Sequence, residues 1–414
     1  MKINIIGGGI SGLFSAYYLQ KLGCEVSIIE RGSFADGCSF GNAGMIVPSH
    51  IIPLAQPGMI AKGLRWMLSS TSPFYIKPRL SWGLVRWGIL FWKYSTEQHV
   101  QYSIPVLRDI SLLSKQLFQE LNTSQDVAFG WHEKGLAMLY KNANLESEMI
   151  EEAHIANKAG VEAHVLNAAA MQQLEPDVKT NVRGAVYYPG DAHINPNQLI
   201  ANMVDYLRKN GVEILENQEV QAFEIQDNTI KSIITNKQKI ETDEVLVASG
   251  AWSPLMTEKL GISLPLQGGK GYSFMLNDVP KNIQIPAIML EARATATPMT
   301  NHLRFAGTME IVGTDLSVNP NRVRGIVQSI NNYYPDVEVS MPNMETVWRG
   351  LRPCSPDGLP YIGRVKHFKN LTLATGHGMM GISLGPATGK LVSEVVTNQK
   401  TSMNIAPFEP LRFE

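Results

Sequence analysis

Cysteine is nearly missing from this chain: three in 414 residues, Cys24, Cys38 and Cys354, far apart and in no CxxC pair. That excludes a disulfide framework and any thiolate metal site of ordinary spacing. An excess of one charge is missing as well. The 36 Lys and Arg and 37 Asp and Glu leave a formal net charge of −1, so no global field draws the chain to nucleic acid. No apolar run reaches the roughly 18 residues of a membrane-spanning helix. Paired carboxylates, an activated nucleophile and a metal cluster are all absent from the sequence pattern, which turns attention from acid–base hydrolysis toward a bound cofactor.

What is present begins at residue 1. An apolar run, Ile3-Asn4-Ile5-Ile6, breaks into Gly7-Gly8-Gly9-Ile10-Ser11-Gly12. Leu13, Ala16 and Tyr17 then follow at helical spacing, and Gly23 is placed as a C′ cap. A second strand-like run, Val26 to Ile29, delivers Glu30 eighteen positions after Gly12. The unit predicts strand, phosphate turn, helix and strand, with a carboxylate at the distance that meets an adenosine ribose. Gly7 serves the tight turn, Gly9 the approach of a pyrophosphate, and Gly12 the packing of helix on sheet. Glu30 argues against an NADP 2′-phosphate but does not separate FAD from NAD.

With 44% hydrophobic residues, the chain is long enough for about two domains. Entry into the nucleotide unit at residue 2 or 3 leaves no room for a leader, so a cytoplasmic protein is expected. Residues 31–45 read as a loop returning over the cofactor. Prolines at 48, 53, 57, 73 and 78 imply irregular chain wrapping something. The stretch Leu80–Tyr94 holds three of the seven tryptophans with only Arg86 and Lys93 charged. It reads either as a buried helix of a second domain or as a surface that rests on a membrane and meets a quinone. A helix is expected over 146–159 and a strand over 161–166. Asn195 is placed as N-cap and Pro196 at N1 of another helix, after which Val212 to Leu215 rejoins the first sheet. Short alternating runs from Gln218 form a meander ending in the strand Val245-Leu246-Val247 and the turn at Gly250. A later strand, Leu371 to Thr375, runs into Gly376-His377-Gly378-Met379-Met380-Gly381, with a helix from Pro386. No second strand-GxGxxG-helix unit occurs. If the single site holds a flavin, its electrons must leave to oxygen, a quinone or a carrier.

These blocks together resemble the FAD-dependent D-amino acid oxidase superfamily, and within it the bacterial D-amino acid dehydrogenase small-subunit group. The resemblance runs nearly end to end. Besides the N-terminal unit it rests on Ser39-Phe40-Gly41-Asn42-Ala43-Gly44, Pro57-Gly58, Arg65-Trp66-Met67, Lys270-Gly271-Tyr272-Ser273, Glu310-Ile311-Val312-Gly313, Trp348 to Pro360, and Gly376-His377-Gly378. It implies an α/β with α+β chain: a Rossmann-like FAD-binding domain of the glutathione-reductase type plus a mostly antiparallel substrate-binding domain. The expected division is 1–50, 145–265 and 343–414 for FAD, and 51–144 and 266–342 for substrate.

By the same resemblance FAD is held non-covalently by Gly7, Gly9, Ile10, Ser11, Gly12, Glu30, Arg31, Ser39, Asn42, Ala43, Gly44, Met45, Val220, Gly250, Trp252, Gly376, Gly378, Met379, Gly381 and Ile382. Some sister enzymes attach flavin through a cysteine, but Cys354 does not fall at that position. Arg352 corresponds to the arginine that clamps the substrate carboxylate, bidentately by its fork of donors. Tyr272 is expected as a second carboxylate or pocket contact and His377 as a group over the flavin face. His193 reads as a packing histidine. The implied partners are a small amino acid or imino acid, a quinone or electron carrier, a partner subunit, and a peripheral contact with the inner face of a membrane. Oxidation of a cyclic imino acid such as D-proline or 4-hydroxy-D-proline is an open variant, as is an oxygen-using glycine or sarcosine oxidase. Methionine at 379 and 380, where glycine oxidases carry an arginine, lowers the glycine oxidase reading. An NAD-linked dehydrogenase and a flavin-holding assembly subunit are the readings from other classes.

Overall fold

The computed structural model describes residues 1–66, 74–277, 279 and 281–414. Met67, which closes one block of the resemblance, lies outside them. The N-terminal unit forms β1 (Lys2–Ile6), α1 (Ile10–Lys21) and β2 (Glu25–Ile29). Both strands are almost continuously apolar and buried, as parallel strands covered on both faces must be. They sit centrally in a six-stranded sheet ordered Tyr361–Arg364, Leu371–Thr375, Glu244–Val247, β1, β2, Glu213–Leu215. All neighbours in it are parallel except the antiparallel edge strand Tyr361–Arg364. One face is covered by α1 and the helices Glu97–Ser124, Pro196–Lys209 and Gly385–Val396, whose apolar faces share one core with Ile3, Ile5 and Leu246. The three-stranded meander of Val220–Gln226, Thr229–Thr235 and Lys239–Glu241 belongs to a second core, with Ile6, Val245 and Val247. Asn195 caps the Pro196–Lys209 helix by accepting from the Gln198 N–H.

A nine-stranded, mostly antiparallel sheet stands beside this domain. Its longest pair is Gln267–Asn277 and His302–Ile311, backed by the helix Pro320–Tyr333. The division between the domains departs from the expected one at four segments. His164–Asn167 and Gly184–Tyr188, expected on the FAD side, pair with Leu136–Tyr140 in the nine-stranded sheet. Trp348–Cys354, also expected there, pairs with Gln267–Asn277. The Glu97–Ser124 helix, expected on the substrate side, instead buries Leu107, Ile110 and Phe118 in the dinucleotide core. An amphipathic strand or helix specifies that one face is covered but not by what, so these assignments rest on tertiary pairing.

The C-terminal tail is fastened to the late loop by one ion pair. Arg412 Nε and Nη2 lie 2.7 and 2.9 Å from the two Asp357 carboxylate oxygens, and Asp357 is 2% exposed. Removing the carboxylate strands a buried guanidinium, which typically costs about 3–5 kcal/mol. Asp357→Ala should therefore lower the urea midpoint of the FAD-loaded protein with the slope preserved. An unchanged midpoint shows that the tail contributes little.

Candidate functional site

A cavity of about 1380 Å³ runs from the N-terminus of α1 to the nine-stranded sheet. It exceeds the roughly 300–1,000 Å³ of a single small-ligand pocket and has room for a dinucleotide plus a small substrate. At its first end α1 starts from Gly9, an N-cap with no side chain to offer, so that apart from the Ile10 N–H its first N–H groups and positive dipole end face an open space. A Cβ added to Gly9 would meet nothing closer than Ser39 Oγ at 3.6 Å, which is the clearance a pyrophosphate needs. At Gly12 the same atom would lie 2.0 Å from the Gly7 carbonyl oxygen; that glycine lets the helix close onto the turn. Ser39 Oγ accepts from Ile10 N–H at 3.0 Å. The Glu30 carboxylate accepts from Gly8 N–H at 2.8 Å and Gly32 N–H at 3.0 Å, which fixes it at the cavity wall where a ribose would lie. Arg31 stacks on the Trp252 ring at 4.1 Å, and Val220, Gly250 and Trp252 complete this end. The uncapped helix, the open cradle and the oriented carboxylate fit FAD.

The loop 39–44 is held from the other domain. Arg304, buried, donates to Asn42 O at 2.6 Å and to Asn197 Oδ1, and Ser273 Oγ donates to Gly41 O at 2.7 Å. Asn42, Ala43 and Met45 line the cavity, as do Gly378, Met379, Gly381 and Ile382 from the late turn. Three residues expected at the cofactor do not line it. Gly12, Gly44 and Gly376 sit behind the wall, where their missing side chains allow close packing on the Gly7, Ile194 and Tyr361 neighbours.

Arg352 reaches the cavity from the strand Trp348–Cys354. Its Nη1 donates to Thr308 O at 2.6 Å, and the guanidinium lies over Gly271, where a Cβ would come within 2.3 Å of it. No carboxylate pairs with it among the described residues, and burial holds its pKa below the usual guanidinium range. A guanidinium without a carboxylate partner, opening on a cavity, has donors free for an anionic group.

Tyr272 and His377 both border the cavity, but the polar group of each is engaged by another protein residue. Neighbouring residues of a strand point to opposite faces. With Gly271 under Arg352, Tyr272 therefore turns into the core around Phe274, Phe305 and Ile326. There its hydroxyl donates to Glu310 Oε1 at 2.5 Å and accepts from Asn319 N–H at 3.1 Å. The His377 ring is anchored behind the turn, with Nε2 2.9 Å from Thr388 Oγ1, and burial lowers its pKa to about 4. His193 is a packing residue, stacked on His132 at 5.0 Å and absent from the cavity wall.

The sequence reading missed a polar group on the substrate side of the cavity: Ser49, His50, Glu152 and Arg293. Burial first, then Arg293, lowers His50 to about 4, and burial raises Glu152. The one sequence signal was the proline-rich chain around residue 50, read as wrapping something without naming what it wrapped.

The family model described as FAD dependent oxidoreductase matches residues 2–395. The D-amino acid dehydrogenase of Helicobacter pylori is 29% identical over 396 residues, 95% of this chain and 94% of that protein. That of Granulibacter bethesdensis is 28% identical over the whole of both chains. Among solved structures, glycine oxidase from Geobacillus kaustophilus superposes with a TM-score of 0.78 at 24% identity, covering 100% of this chain and 98% of that one. L-proline dehydrogenase from P. horikoshii gives 0.77 at 21%, covering 100% and 97%. These two likenesses show the fold. With a family match along nearly its whole length and a cradle that fits the dinucleotide, the chain belongs to the FAD-dependent oxidoreductase family.

Proposed function

We propose that this flavoenzyme oxidises a D-amino acid at Cα, with hydride passing to flavin N5 and electrons then leaving to a quinone or another non-nicotinamide acceptor. The observation that carries the reading is Arg352: a buried guanidinium opening on the cavity with no protein carboxylate to pair it. Its fork holds the substrate carboxylate and so fixes the direction in which the Cα–H bond points. FAD, when bound, supplies the two-electron acceptor. The apolar wall of Trp87, Phe91 and Met138 keeps water from the reacting carbon. The D-amino acid dehydrogenase relatives support the choice of D-substrates.

The test is a panel of D-, L-, N-substituted and cyclic amino acids, scored by anaerobic dye reduction. D-amino acids should bleach the flavin and reduce the dye. Bleaching by L-forms or sarcosine alone overturns the reading, and hydrogen peroxide released in step with substrate loss places the enzyme with the oxidases.

The acceptor side is supported by the Trp82–Tyr94 helix. It turns Trp87 and Phe91 inward to the cavity and Trp82, Val85, Ile89 and Trp92 outward in one stripe, with both tryptophans at least 70% exposed. No helix among the described residues is long and apolar enough to cross a membrane. An interfacial helix with tryptophans and Lys93 on its outer side suits peripheral contact with a lipid surface that carries quinone. Trp82→Ser with Trp92→Ser should reduce co-sedimentation with anionic vesicles about tenfold while dye reduction is preserved; undiminished binding removes this helix from the contact.

A further inference from the structure

The two-residue strands Met45–Ile46 and Ala192–His193 pair antiparallel and bring together two loops 142 positions apart in the chain. Ser49 Oγ donates to Asp191 Oδ2 at 2.5 Å, and Ser49 N–H donates to Asp191 Oδ1 at 3.1 Å. Ser49 Oγ also lies 3.1 Å from His50 Nδ1. A hydroxyl has one hydrogen; given to Asp191, it leaves the oxygen only to accept, so His50 is protonated at Nδ1 and its Nε2 carries the lone pair. His50 borders the cavity, and its Nε2 has no protein partner among the described residues. Asp191 is 1% exposed and has no Lys or Arg at ion-pair distance among the described residues.

We propose that Asp191, Ser49 and His50 form a proton relay that takes the proton from the substrate's ammonium group before Cα is oxidised, His50 touching the substrate and the other two passing the charge inward. The inference rests on the reading of the cavity as an amino acid site. Amino acids arrive as ammonium ions at neutral pH, and hydride cannot leave Cα until the nitrogen has a free lone pair to form the C=N bond. In the relay the substrate N–H⁺ proton moves to His50 Nε2, the Nδ1 proton moves to Ser49 Oγ, and the Ser49 proton moves to Asp191. The ammonium becomes an amine, Asp191 becomes a carboxylic acid, and His50 and Ser49 end neutral. Burial supports both ends: it raises Asp191 to about 7, ready to receive a proton near neutrality, and with Arg293 it keeps the His50 ring neutral. The other titratable or charged groups facing these three include Glu148 and Glu152 from the helix Ala143–Lys158, Arg293 from the turn before Ala294–Met299, Tyr187 and Tyr188, and Lys115 from the Glu97–Ser124 helix, whose charge acts to lower Asp191 against its burial.

The test is stopped-flow flavin reduction by the favoured amino acid from about pH 6 to about pH 10, spanning the amine's titration. The parent should reduce flavin well at neutrality. His50→Gln should lose about 10²-fold or more at pH 7, the usual worth of a positioned proton acceptor, and recover toward the parent as the substrate becomes free amine. Ser49→Ala and Asp191→Asn should show the same slope, and added imidazole should rescue His50→Gln. Binding of a carboxylic acid without an amine, read from the flavin spectrum, should stay within about twofold in all three. A His50→Gln variant with the parental pH profile, or with a loss equal at every pH, overturns the relay alone. A parent whose flavin no amino or imino acid bleaches overturns the substrate reading and the relay with it.

Discussion

Arg352→Ala should lower kcat/KM for the favoured amino acid by roughly 30-fold to several-thousand-fold, the effect of about 2 to 5 kcal/mol for removing one partner of a buried charge pair. The guanidinium is built to be vacated by nothing in the protein: it leans on Gly271, donates to Thr308 O, and has no carboxylate partner among the described residues. Arg352→Lys should keep the charge but lose the two-pronged geometry, and so recover only part of the loss. FAD content should be unchanged in both, because the side chain comes from the nine-stranded sheet and the phosphate cradle from the turn before α1 in the other sheet. The discriminating measurement is an amino acid amide, which lacks the carboxylate. It should be a poor substrate for the parent and lose little more in Arg352→Ala. Equal losses for acid and amide, or a variant emptied of flavin, make Arg352 a structural residue of the sheet.

Gly9→Val should yield a folded, colourless protein. In the protein itself the new Cβ meets only Ser39 Oγ, at 3.6 Å, so the far-UV spectrum and expression should match the parent. In the complex it occupies the space over the uncapped end of α1 that the pyrophosphate needs. Loss of FAD should therefore be complete, and reconstitution with excess FAD should fail. Gly12→Val is the contrasting variant, since a Cβ 2.0 Å from the Gly7 carbonyl disrupts the turn itself; it should lose soluble, folded protein as well as colour. A yellow Gly9→Val protein places the phosphates elsewhere. The parent, denatured, should release intact FAD, because Cys354 is buried behind the Arg352 strand and absent from the cavity wall.

The cofactor half was legible because its information is local. Strand, turn, helix and acidic residue follow one another within thirty residues, and each glycine answers a backbone constraint that no other residue meets. Asn195 and Pro196 announced a helix start for the same reason: capping is settled between a residue and the one three positions on. Arg352 was reachable only through resemblance. Nothing in Gly350-Leu351-Arg352-Pro353 says that a strand edge will turn that side chain toward a cavity.

The features least legible in the sequence share one cause. Tyr272 was expected as a carboxylate or pocket contact because it belongs to a recognisable block; it borders the cavity, while its hydroxyl is engaged by Glu310 in the core behind it. His377 looked available because it interrupts a glycine turn, and Thr388, eleven positions later, holds its ring. The segments assigned to the wrong domain carry apolar faces that either core could have covered. What the sequence by itself determined was the dinucleotide unit, its cofactor class through the accumulated blocks, and the helix and strand grammar around it. Only the tertiary structure decided which face of Gln267–Asn277 looks at substrate, and that Ser49 and His50 meet Asp191 across 142 residues through a two-residue ladder. Short-range backbone rules are written in neighbouring residues, whereas the company a side chain keeps depends on register and packing between segments whose separation in sequence carries no signal.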